Sequence, residues 1–107
     1  MAQNTLKKLE TLIQESAQLD ADKQQELLDL IASLKTELHD VDEESAHSIA
    51  KFAEVATHEA LRENKNADLI EISTQGLEKS TQEFAATQPT LFNIVRTIVR
   101  TLSNMGI

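Results

Sequence analysis

Apolar positions along the chain fall into separate runs with helical spacing, and the cleanest run is the last. Between Pro89 and Ile107, Leu91, Val95, Ile98, Leu102 and Met105 recur at alternating intervals of four and three. Only a helix gathers that spacing on one face. Phe92, Ile94 and Val99 widen the face to an arc of roughly 160° at about 100° per residue, while Arg96, Arg100, Asn93 and Ser103 take the other side. Pro89 suits a first helical turn. Gly106 stands where an αL cap would end the helix, with Ile107 as the apolar residue beyond it.

Earlier runs repeat the signature. A first helix is predicted from Asn4 or Thr5, both acceptable caps, with Leu6, Leu9, Leu12 and Ile13 on its apolar face and Leu19 closing it. Asp20 is the N-cap candidate for a second helix reaching about Asp40. Leu27, Ile31, Leu34, Leu38 and Val41 form its stripe, broadened by Leu28 and Leu30. The short Gln18–Asp20 connection makes residues 5–41 an antiparallel hairpin. Asp40 to Glu44 holds four acids in five residues; their repulsion weakens a continuous helix, although acids near the start of the next one complement its dipole. A third helix is expected over Ser45–Arg62, with a small stripe of Ile49, Phe52, Ala53, Ala56 and Ala60. Asn64-Lys65-Asn66 is the clearest break, and Asn66 can cap a fourth segment running through Lys79 to Phe84 on Leu69, Ile70, Leu77 and Phe84. Whether 45–84 is one helix or two stays open at this level.

Composition supports helices and removes chemistry. Two Gly and one Pro in 107 residues leave little punctuation for hairpins of strands. Aromatics are 3%, so the core must be aliphatic. The chain has no cysteine, hence no disulfide, thiol nucleophile or thiolate metal site. Neither a signal-peptide h-region nor a membrane-length apolar run is present, and a cytoplasmic location is expected. Net charge is −8, unevenly spread: residues 1–88 carry eight bases against eighteen acids, whereas 89–107 carry two arginines and no acid. A surface this acidic repels phosphate backbones, which argues against nucleic acid as a partner.

Candidate chemistry is thin. Glu44-x-x-His47 has the ligand spacing of carboxylate-bridged di-iron bundles, but no second such pair exists in the chain. Glu43/His47 and Glu54/His58 are i, i+4 pairs that read as solvated helix faces. With glycine only at 76 and 106, a phosphate-cradling loop is impossible, and no serine sits in a nucleophile elbow. No catalytic residue, metal ligand or cofactor is assigned, and an enzyme is not expected.

The two ends together resemble an uncharacterised bacterial domain-of-unknown-function family of short helical proteins ending in Asn-Met-Gly-Ile. Leu6-x-x-Leu9, Leu19-Asp20 and Leu27-x-x-Leu30-Ile31 are similar to its N-terminal hairpin. Leu77, Phe84, Pro89-Thr90-Leu91 and Leu102-x-Asn104-Met105-Gly106-Ile107 are similar to its C-terminal half. Members usually carry His-Pro where Gln88-Pro89 stands here, and the stretch from Asp42 to Asp68 is longer than theirs. The resemblance implies a short cytoplasmic helical protein with no established activity.

The expectation is therefore a single all-α domain over 1–107: the hairpin, a middle helix or pair, and the C-terminal helix, in a small bundle completed by homodimerisation. Its interaction face would be the two stripes, Leu91, Val95, Ile98, Leu102 and Met105 with Leu27, Ile31, Leu34 and Leu38. The function expected is non-catalytic, through self-association or contact with another protein. An alternative is an acidic, antitoxin-like inhibitor whose body masks a basic partner.

Overall fold

A computed structural model describes residues 2–105 of the chain. The αL cap expected at Gly106, with Ile107, lies outside the described residues. Every regular element described is helical: α1 (Ala2–Glu15), α2 (Ala21–Leu38), α3 (Glu43–Ala60), α4 (Ala67–Thr81) with a 3₁₀ turn at Gln82–Phe84, and α5 (Pro89–Met105). The middle segment is thus two helices. None of the described helices is long and apolar enough to cross a membrane.

The ends of these helices follow local chemistry. Asp20 caps α2 by accepting from the Lys23 amide at 2.8 Å. Asn66 caps α4, its Oδ1 accepting from Asp68 and Leu69. The acid knot resolves in favour of the helix dipole: Asp42 accepts from the Ser45 amide at 3.0 Å, so α3 begins at Glu43 with two acids in its first turn. That carboxyl is held below the usual range, first by the Ser45 amide. α3 accordingly starts two residues before the expected Ser45, and α2 ends at Leu38, with Val41 in the connection. α1 starts at Ala2 rather than capping at Asn4 or Thr5, because Ala2 is buried and Gln3 donates to the Lys35 carbonyl at 3.2 Å. The C-terminal carbonyls of α1, orphaned in any helix, are met by the Gln24 side chain, which reaches Ile13 and Gln14.

In space the helices form a closed ring in the order α1, α3, α4, α5, α2, with α2 returning to α1 and α3 also touching α5. Gln3 at Lys35 and Gln24 at Ile13 make α1 and α2 antiparallel. Glu26 at Thr101 and the grouping of Asp20 with Met105 make α2 and α5 antiparallel as well. α1 and α3 run parallel, Ala2 lying near Ala46 and Leu9 near Glu54. Inside the ring sits one aliphatic core, including Leu6, Leu9, Ile13, Ile49, Leu77 and both stripes. α3 has three neighbours, and its buried Ala46, Ala50, Ala53, Ala56 and Ala60 explain how they fit: small side chains let helix axes approach closely.

Candidate interaction surface

The residues expected to form an interaction face are inside the molecule. Leu91, Val95, Ile98 and Leu102 have no exposed surface, Leu27, Ile31, Leu34 and Leu38 are buried with them, and Met105 is half-buried at the rim. The physical reason is the ring itself. α2 and α5 are neighbours, so each stripe is covered by the chain's own helices and not by a second copy.

The apolar side chains left in water are elsewhere. Ile72 is 64% exposed, Val55 50%, Leu69 44% and Phe52 38%. All four belong to α3 and α4, on the outer side of that hairpin, and Val55 also borders the groove between α1 and α3 beside Lys8, Leu9 and Leu12. The hairpin's two ends are fixed by contacts: the Phe52 ring lies on Gly76, and Glu59 accepts from the Asn66 amide at 2.9 Å. By that register Val55 stands level with Ile72, about one turn in from the Phe52–Gly76 end. Gly76 is required for this seat, because a Cβ there would come within 2.9 Å of Phe52 Cζ and closer to other ring atoms. Taking roughly 200 Å² per large side chain, the four leave on the order of 400 Å² of apolar surface in water. That is within the range of the largest apolar patch on a typical monomer, which is often a functional one.

The turn that holds the hairpin is built around a buried carboxylate. Arg62 Nη1 donates to both oxygens of Glu59, at 3.0 and 2.9 Å, and the Asn66 amide supplies a third bond. These bonds, Arg62 first, outweigh burial and hold the Glu59 carboxyl below its ordinary range. Periodicity does not mark two of the four exposed residues, Val55 and Ile72. It places Phe52 and Leu69 in their helices' apolar stripes, yet they stand at the margins of the inward faces and emerge on the outer side.

The remaining candidates stay separate. Glu44 is exposed in the first turn of α3, while His47 is partly buried with Nδ1 lacking a hydrogen-bond partner. Glu54 pairs with Lys51 at 3.1 Å, leaving His58 exposed. No group of three or more His, Asp or Glu residues among the described residues is gathered as a metal site would need. Arg96 lies over the Phe92 ring, 5.8 Å from its centre, a cation–π contact within α5. Neither Arg96 nor Arg100 forms an ion pair among the described residues.

No curated protein and no solved structure matches this chain. A family model does, over residues 31–107, from the middle of α2 through α5. Both the all-helical ring and the exposed α3–α4 face lie largely within that span, and the chain belongs to the family described as Domain of unknown function (DUF4404).

Proposed function

We propose that this protein is a non-catalytic interaction module whose contact surface is the outer face of the α3–α4 hairpin. The observation that carries this reading is the exposure of Phe52, Val55, Leu69 and Ile72 on one hairpin, whereas the other large apolar side chains among the described residues are buried or half-buried. The largest apolar patch on a monomer is often its functional surface. The ionisable groups support the non-catalytic part. Apart from buried Glu59 and half-buried His47, most lie dispersed on outer helix faces, several of them engaged in caps or i, i+3 pairs of the kind a solvated surface carries. Homodimerisation was expected because the stripes of α2 and α5 would need a cover. With those stripes closed inside the ring, a second copy has this exposed apolar face to dock on.

The test is a photo-crosslinking side chain placed at Ile72 in living cells, with exposed Ala32 on α2 as the control position. One dominant adduct from position 72 and none from 32 is the expected result. Absence of a discrete adduct at 72 would remove the face from consideration.

A further inference from the structure

We infer that the occupant of the α3–α4 face is a basic amphipathic helix of another protein, an inference that rests on that face being a contact surface. Negative charge is left over around the patch after internal pairing. Two of the bases beside the apolar patch are already engaged: Lys51 with Glu54 at 3.1 Å and Arg62 with Glu59 at 2.9 Å. Lys65 is turned to the carbonyl of Met105, at 2.8 Å. Among the described residues, four other carboxylates around the patch have no base as partner, although Asp42 also caps α3 on the Ser45 amide. Asp42, Glu44 and Glu83 line the groove beside Phe52, and exposed Asp68 sits one turn before Ile72. None of these four forms an ion pair among the described residues, and Lys79 is the single ammonium lining the groove with them. A second copy would bring the same excess of acid and a net charge of −8 of its own against this surface, so like charges would meet around the contact.

The shape of the patch sets the rest of the partner. Phe52 on Gly76 marks one end and Leu69 the other, seven residues along α4, or about 10 Å at 1.5 Å per residue. A helix lying on the hairpin spans that length with apolar residues at i, i+4 and i+7. Carboxylates flank both ends, three of them at the Phe52 end. The partner's Lys and Arg residues should therefore flank its apolar stripe and be denser over the start of α3.

The experiment is selection from a displayed library of randomised helical peptides on the full chain, with counter-selection on Ile72→Asp. That substitution places a charge on an exposed residue, and its retained helicity is checked by circular dichroism. The expected result is enrichment of peptides with the i, i+4, i+7 stripe and an excess of Lys and Arg. Their affinity should fall by at least about tenfold with Ile72→Asp, and again as salt is raised. In Glu44→Lys/Asp68→Lys, the preference should swing towards acid-flanked peptides. Enrichment of neutral or acidic peptides that still depend on Ile72 would overturn the inference while leaving the contact surface standing. Peptides indifferent to Ile72→Asp would overturn both. If sedimentation shows the wild type as a dimer that Ile72→Asp dissociates, a second copy is the occupant and the basic helix is wrong.

Discussion

Truncating two isoleucines tests whether the stripe of α5 is closed by its own chain. Ile98 has no exposed surface and Ile72 is 64% exposed, so Ile→Ala removes the same atoms from opposite environments. At Ile98 the lost transfer free energy is about 2–2.5 kcal/mol at ~0.8 kcal/mol per methylene, and the cavity left behind raises the cost to about 3–4 kcal/mol. At Ile72 most of the removed surface was already in water, and the cost is about 0.5 kcal/mol. With a urea m-value of about 1.5 kcal/mol/M for a chain of this size, Ile98→Ala lowers the unfolding midpoint by roughly 2–2.5 M and Ile72→Ala by about 0.3 M. The assay is urea unfolding followed by helical circular dichroism, repeated over a range of protein concentrations. The reasoning fails if Ile98→Ala moves the midpoint no further than Ile72→Ala. It also fails if the wild-type midpoint rises with concentration and Ile98→Ala abolishes the rise, because a second copy would then be covering the stripe.

Two further outcomes follow from the hairpin. Gly76→Ala gains up to about 1 kcal/mol of helix propensity but displaces the half-exposed Phe52 ring; the gain should therefore be seen in the Phe52→Ala background and be reduced or absent with Phe52 present, as a double-mutant cycle will report. The Glu59 carboxyl is depressed in the folded protein, chiefly by Arg62. Its stabilising contribution is therefore present above its unfolded pKa and is lost as pH falls through the lower folded value. Acid titration of the unfolding midpoint should thus fall less steeply in Glu59→Gln than in the wild type, and equal slopes would remove Glu59 from the acid response.

What the sequence revealed was where helices lie, and what it concealed was which faces remain open. The 4-3-4-3 runs of α2 and α5, with Asp20 and Pro89 at their starts, mark those helices almost to the residue, and Asn66 marks the start of α4. The width of an apolar arc does not say what covers it, and so two stripes that meet each other in the ring read as surfaces awaiting a partner. α4 hid its exposed face for a different reason. Its inward positions are partly polar: Ser73 and Thr74 are buried with their hydroxyls bonded to the Leu69 and Ile70 carbonyls, at 2.6 and 2.7 Å. Such back-bonding satisfies a hydroxyl inside a core, so the side facing inward looked diluted while apolar Ile72 pointed out. The acid knot was ambiguous because repulsion and capping use the same residues. Only the Asp42–Ser45 bond decides between them.

The ring has a consequence in time. α5 follows every other helix in the chain, yet it must insert between α4, its immediate predecessor, and α2, which it meets across 75 residues at Glu26 and Thr101. The α1–α2 and α3–α4 hairpins can each form locally as they leave the ribosome, whereas the long loop is closed only when α5 arrives. Until then the side of α2 that α5 covers stands open, while α1 already covers the other. The surface that resembles a docking site in the sequence is thus one only for the nascent chain, and its partner is the helix still being synthesised.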